Sequence, residues 1–68
     1  MLKNEIIVFR AKKRWTQQQL ADDVQVSRQT IAALEKEKYN PSLILAYKLA
    51  NSLNTTIEEL FDYTEEEK

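Results

Sequence analysis

The stretch Gln17–Lys36, QQQLADDVQVSRQTIAALEK, decides the fold. Thr16 stands just before it and Gln19 three residues later. That is the spacing of a capping box, in which the hydroxyl takes the N3 amide and the N3 side chain reaches back. It predicts a helix over about Gln17–Val24, with Leu20, Ala21 and Val24 at i, i+1 and i+4 on one face. Ser27 is a second cap and opens a helix over about Arg28–Lys36, with Ile31 and Leu34 as its inner stripe. Only a few residues around Gln25-Val26 separate the two.

Two short helices that cross steeply need a small residue at their closest approach, and Ala21 supplies it. They need apolar residues where they meet a core, and Leu20, Val24, Val26, Ile31 and Leu34 serve. The second helix keeps a polar, reachable outer face of Ser27, Arg28, Gln29, Ala32, Ala33 and Lys36. This combination reads as a helix-turn-helix over residues 17–36.

Outward from the pair, Asn4 can cap a helix over about Glu5–Lys13, in which Ile6 and Phe9 share a face. The run Ile6-Ile7-Val8-Phe9 suits a strand as well. On the other side Pro41 is followed by Ser42, which caps a helix over about Leu43–Leu53 with Leu43, Ala46, Leu49, Ala50 and Leu53 inward. Thr56 and Glu59 form a second capping box and open a short helix with Ile57, Leu60 and Phe61. Five short helices with tight connections predict one all-α domain over residues 1–63. Alternation in Leu2-Lys3 and Phe61-Asp62-Tyr63 predicts in addition a short pairing of the two terminal segments. Residues 64–68, TEEEK, read as a solvated acidic tail.

Sixty-eight residues hold one core and no two-lobed catalytic cleft. With no Cys and no His, there is no disulfide, no Cys/His zinc site and no Ser-His-Asp triad. With no Gly, there is no P-loop or Rossmann fingerprint. No cofactor and no metal are expected. No apolar run approaches the roughly 20 residues of a membrane span, and no signal-peptide pattern opens the chain, so a cytoplasmic protein with no membrane partner is expected. The net charge of −1 hides an asymmetry. Residues 1–55 carry nine Lys/Arg and five Asp/Glu, net +4, while residues 56–68 carry one Lys and six acids, net −5. The first part can face a polyanion.

The pieces WTQQQLADDVQVSRQTIAALE, KYNPSL and LANSLNTTIEELF, in that order, resemble the phage-repressor/Cro-like (Xre) helix-turn-helix transcriptional regulators. SRQTI…EKEKYNPSL is most similar to the small, single-domain, cytolysin-repressor-like members. The resemblance spans about Ile6 to Phe61 and implies a five-helix, lambda-repressor-like domain that binds DNA and commonly dimerises. It also implies glycine in the turn, after the third helix and after the fourth. This chain has Gln25, Glu37 and Asn54 there, positions that often need a left-handed backbone. Arg10 and Glu35 match a recurring family pair, implying a fork-shaped charged hydrogen bond between the first and third helices.

In such a motif the N-terminal residues of the second helix meet base edges in the major groove. Arg28 can donate twice to guanine O6 and N7, and Gln29 can pair with adenine N6 and N7. Ser27 reaches a phosphate or base, and Ala32 and Ala33 offer methyls to thymine. Gln17, at the free N–H end of its helix, is a natural phosphate clamp. Thr16 beside it, then Lys36, Lys38, Tyr39, Asn40 and Ser42, complete the expected backbone contacts. Trp15 is expected as a lid over the first two helices.

The expected function is a sequence-specific, double-stranded DNA-binding transcription regulator, a repressor acting as a homodimer on a palindromic operator. The chain has no room for a small-molecule effector domain. The expected dimer interface is Asn40, Pro41, Ile44, Ile57 and Leu60, where apolar residues exceed what the inner face can hide. Two rivals exist. An interaction module on the same fold, an antitoxin-like partner or co-activator bridge, would tolerate loss of Arg28 and Gln29. An enzyme would have to use Asp22-Asp23 or Glu58-Glu59, and adjacent helical residues diverge by about 100°, so neither pair converges.

Overall fold

A computed structural model describes residues 2–38 and 40–63. The tail 64–68 and Tyr39, one of the expected phosphate contacts, lie outside the described residues. The elements are β1 (Leu2–Asn4), α1 (Ile6–Lys13), α2 (Gln17–Val24), α3 (Arg28–Glu35), α4 (Leu43–Ser52), α5 (Ile57–Leu60) and β2 (Phe61–Tyr63).

Hydroxyl caps set four of the five helix starts. Thr16 Oγ1 accepts from Gln19 N at 3.1 Å while Gln19 Oε1 accepts from Thr16 N at 2.8 Å, a complete capping box. Ser27, Ser42 and Thr56 each accept from the N3 amide, of Thr30, Leu45 and Glu59, at 3.1 Å. Each bond satisfies a donor that the helix geometry leaves orphaned. α1 starts differently. Glu5 holds the cap position without a side-chain bond, and Asn4 Oδ1 accepts from Ile6 N at 3.0 Å. The run Ile6–Phe9 is helical: Ile6 is buried and Phe9 packs on the core, whereas Val8, which strand alternation would place beside Ile6, is exposed.

The helix ends are made without glycine. Arg14, Gln25, Glu37 and Asn54 take φ of 60°, 65°, 59° and 58°. Three of these are the positions where family members often carry glycine; Arg14 has no such signal in the sequence. In every case the next residue donates back across the turn, Trp15 N to Arg10 O, Val26 N to Ala21 O, Lys38 N to Ala33 O and Thr55 N to Ala50 O, at 2.9–3.2 Å. The left-handed residue thus closes each helix with a six-residue turn that answers an orphan carbonyl.

Ile6, Leu20, Ile31, Leu34, Leu49 and Leu60 form the fully buried centre, and Ala21 lets α2 and α3 approach. α2 packs on both α3 and α4, and α5 packs on α4. β1 and β2 pair antiparallel, with Leu2 opposite Tyr63, Lys3 opposite Asp62 and Asn4 opposite Phe61. Glu5 N donates to Leu60 O at 2.9 Å and continues the tie between the termini. Two expectations need correction. Phe61 belongs to β2 rather than to the last helix, though it still reaches the core. Leu43 is 69% exposed: it lies in the first turn of α4, and the buried stripe starts one turn later at Ala46.

A β-carbon in the left-handed region costs about 1–2 kcal/mol, partly offset by glycine's larger backbone entropy when unfolded. Gln25 is exposed, and among the described residues its side chain makes no hydrogen bond. Gln25→Gly should therefore stabilise the domain by about 0.5–1 kcal/mol, a rise of a few degrees in melting temperature. Glu37→Gly should gain less, because Glu37 Oε2 accepts from Asn4 N at 3.1 Å. Thermal unfolding at matched protein concentration checks both, and a destabilised Gln25→Gly contradicts the strain assignment.

Candidate nucleic-acid interface

The side chain at the start of α2 reaches both ends of α3. Gln17, the first residue of α2, sits with its side chain between α3's two ends: its Nε2 donates to Glu35 Oε1 at 2.9 Å, and its Oε1 accepts from Arg28 Nη1 at 3.4 Å. Among the described residues the backbone N–H groups of Gln17, Gln18, Arg28 and Gln29 have no intramolecular partner, as expected for first-turn donors. Four N–H groups at two positive dipole ends are therefore left without a partner within the chain. Ser27, Arg28 and Gln29 are exposed, and Ala32 and Ala33 are half-buried one turn further along α3. No carboxylate occurs in Thr16–Leu20 or Ser27–Leu34.

Beneath this surface lies a charged pair. Arg10 Nε donates to Glu35 Oε2 at 2.6 Å and Nη2 to Glu35 Oε1 at 3.2 Å, a fork that joins α1 to α3. Arg10 Nη1 donates to Trp15 O at 2.9 Å, tying in the turn before α2. The side chains are 20% and 4% exposed. Burying a carboxylate this deeply is tolerable only because both its oxygens accept from fixed donors.

Other expected contacts are more scattered. Lys36 closes α3 and is exposed, as are Lys38, Asn40 and Ser42. The hydroxyls of Thr16 and Ser42 accept as caps, which leaves each O–H free to donate. Trp15 is half-buried against the core with the Lys13 ammonium 3.9 Å from its ring centroid. Sequence reasoning missed the Gln17–Glu35 bond, since nothing local tells which way an amide turns. It also missed Lys13 Nζ donating to Ser52 O at 2.7 Å, and Asn4 Nδ2 donating to Leu34 O at 2.7 Å.

In α4 and α5, Ile44 is 71% exposed, Leu43 and Tyr47 are exposed, and Ile57 is half-buried. Leu43, Tyr47, Ala50 and Ile57 line one groove between α4 and α5, and Ile44 is not among its lining residues. Asn40 is exposed and Pro41 half-buried. Leu60 does not belong with them. It is wholly buried in the core, because the single turn of α5 packs on α4, and it has no surface to offer a second copy.

Residues 6–60 match the helix-turn-helix family. The chain belongs to this family, of the Xre/Cro-like kind. Similar curated relatives are uncharacterised helix-turn-helix transcriptional regulators. One from Archaeoglobus fulgidus is 53% identical over 97% of this chain and 93% of its own length. One from Methanocaldococcus jannaschii is 47% identical over 97% of this chain and all of its own length. Among solved structures, a candidate DNA-binding protein from Bacteroides fragilis superposes with TM-score 0.82 at 34% identity, covering 91% of this chain and 100% of that one. The clp gene regulator ClgR from Corynebacterium glutamicum gives 0.73 at 27%, covering 76% of this chain and 55% of that one. Among the described residues no helix is long and apolar enough to cross a membrane.

Removing either member of the buried pair leaves the other charge unanswered, which costs roughly 3–5 kcal/mol for a fully buried pair. Arg10 is partly exposed, so Arg10→Ala and Glu35→Ala should each cost somewhat less, about 2–3 kcal/mol. The double variant should be milder than the two losses added, by 1 kcal/mol or so. A double-mutant cycle in denaturant checks this, and zero coupling would mean two independent charges.

Proposed function

We propose that this protein is a sequence-specific double-stranded DNA-binding transcription regulator that acts as a repressor. The observation that carries the reading is the contact between the first residues of α2 and α3, Gln17 and Arg28, with exposed donors around it and the neighbouring carboxylate, Glu35, paired with Arg10. Such an end fits an anion, and the exposed face of α3 fits a major groove. Arg28 donates to guanine O6 and N7, Gln29 pairs with adenine, Ser27 reaches a neighbouring base or phosphate, and Ala32 and Ala33 meet thymine methyls. The α2 N-terminus at Thr16 and Gln17 grips the phosphate backbone on one side. Lys36, Lys38, Asn40 and Ser42 grip it on the other. The names of the relatives, transcriptional regulators, agree with this use of the fold.

One such module touches few base pairs, so two copies are required for a unique site. Asn40, Pro41, Ile44 and Ile57 make a two-fold contact, continuous with the apolar groove of Leu43 and Tyr47. It sets two copies of α3 about 34 Å apart on a palindrome, where the bound dimer excludes polymerase.

Selection of bound duplexes from random DNA by the purified protein should return a palindrome with a guanine in each half-site. Arg28→Ala, still helical by circular dichroism, should lose discrimination at that pair by about 1–3 kcal/mol. Log K against log salt should fall by about 0.9 per phosphate neutralised. Unaltered base preferences or a flat salt response would favour a protein-interaction module. For the dimer, Ile44→Asp puts a charge on a side chain that is already solvent-exposed in the single copy. It should give a folded monomer with weakened binding to the full palindrome. Sedimentation that finds the parent monomeric at tens of micromolar, or the variant still dimeric, removes this interface.

A further inference from the structure

Lys36, Glu37 and Lys38 follow one another where α3 ends, and the carboxylate between the two lysines is paired with neither. Among the described residues the one ion pair is Arg10–Glu35. Glu37 Oε2 instead accepts from the backbone N–H of Asn4, 33 residues away, at 3.1 Å. Asn4 stands opposite Phe61 in the β1–β2 pair, and an N–H that leaves for Glu37 is on the outward side of an edge strand. The Asn4 side chain fixes that edge in place. Its Nδ2 donates to Leu34 O at 2.7 Å, and its Oδ1 accepts from Ile6 N at 3.0 Å. Leu34 O takes Glu37 N as well, at 2.9 Å. Asn4 therefore meets the end of α3 twice, at a carbonyl of its last turn and at the side chain of the left-handed residue beyond it.

We infer that Asn4 is a positioning residue for phosphate binding: it holds the Glu37 carboxylate on β1 and so leaves the Lys36 and Lys38 ammonium groups to an anion. The inference rests on the phosphate contacts proposed above for those two lysines. Neighbouring Cα atoms are about 3.8 Å apart, well inside the Debye length of about 8 Å at physiological salt. A phosphate close to Lys36 or Lys38 therefore also responds to Glu37. An unheld Glu37 side chain has several rotamers, and those that turn toward the ammonium groups compete with the phosphate for them. The hydrogen bond from Asn4 N selects the rotamer that reaches β1. Lys36 and Lys38 are exposed, and among the described residues neither ammonium has an ion-pair or aromatic partner. The β1–β2 pair thereby sets how much of the positive charge after α3 is offered to a polyanion.

The test is binding of the full chain to its selected duplex, and to duplexes changed at one base pair, over a range of salt. Asn4→Ala removes the bond to Leu34 O and loosens β1 from α3. It should weaken binding to every duplex by roughly 3- to 10-fold and leave base preferences as they are. The loss should shrink as salt is raised, since screening weakens the action of Glu37 on a phosphate. Glu37→Gln keeps an oxygen for the Asn4 N–H but carries no charge. In a Glu37→Gln background Asn4→Ala should have no further effect on binding, whereas a purely structural loss would remain. If Asn4→Ala does not fold by circular dichroism, Asn4→Ser takes its place, with an oxygen for Ile6 N and no Nδ2 donor. Parental affinity in a folded Asn4 variant overturns the inference. So does a loss that persists beside Glu37→Gln, a loss equal at every salt concentration, or a loss confined to one base pair. Lys36→Ala and Lys38→Ala keep the two readings apart. If both leave affinity unchanged, the phosphate contacts themselves are removed. If either weakens binding and the Asn4 variant does not, only the positioning role is removed.

Discussion

A charged carboxylate in the interior must be answered completely, and Glu35 is the group on which the arrangement of the first three helices depends. Arg10 supplies two donors to it and Gln17 a third, while the remaining Arg10 nitrogen holds the carbonyl of Trp15. Among the described residues no buried side-chain nitrogen or oxygen lacks a partner. Such a cluster contributes little net stability, because desolvating the charges consumes most of their attraction. Its contribution is directional. Leu20, Ala21, Ile31 and Leu34 pack α2 on α3 through dispersion and area burial, which tolerate small slides and rotations. Four charged or charge-assisted hydrogen bonds do not. They fix the angle at which the outer face of α3 is offered, the face proposed above to meet a major groove.

The absence of glycine bears on the same rigidity. Four left-handed helix ends are held by Arg14, Gln25, Glu37 and Asn54, each followed by a backbone bond across the turn. Side chains at these positions strain the folded chain locally, yet they leave the unfolded chain fewer conformations than glycine would. Glu37 gives something in return for its strain, since its carboxylate takes the Asn4 amide. With Asn4 Nδ2 on Leu34 O, that ties the β1–β2 pair to the C-terminal end of α3. α3 is therefore held by Gln17, by the terminal sheet at its end, and by Arg10.

What the sequence discloses is what is local. The limits of α2 follow from Thr16, Gln19 and the spacing of Leu20, Ala21 and Val24, since a capping box involves only four consecutive residues. Ser27, Ser42 and Thr56 are legible for the same reason. Burial is not local, and errors arise there. Leu43 reads as inward because it shares a face with Ala46 and Leu49, but the core stops short of the first turn of α4. Leu60 reads both as an inner residue and as part of the interface, and the packing of α5 on α4 puts it in the core. The left-handed Arg14 carries no composition signal. Gln17 was legible as a residue at a helix start, whereas its partners, 11 and 18 residues away, were not. Arg10 and Glu35 became a pair only through resemblance to a family, because 25 residues separate them.

Net charge is a poor guide to what such a surface binds. At physiological salt the Debye length is about 8 Å, so a phosphate responds to the groups within that distance and hardly at all to the molecule's total. Near the starts of α2 and α3 those groups are Arg28, the free N–H ends and a Glu35 already neutralised by Arg10. Asp22 and Asp23 lie five and six residues along α2 from Gln17, roughly 8–9 Å at a helical rise of about 1.5 Å. They stand at the negative pole of α2, an unfavourable place for carboxylates. Ser52 relieves it: its hydroxyl donates to Asp23, and its own carbonyl accepts the Lys13 ammonium. Glu58 and Glu59 lie in the first turn of α5, where acids suit the positive pole. Asp23 is thus held at the far end of α2, and Glu58 and Glu59 sit on the positive pole of α5. A chain of net charge −1 thus keeps the carboxylate that touches Gln17 paired with Arg10.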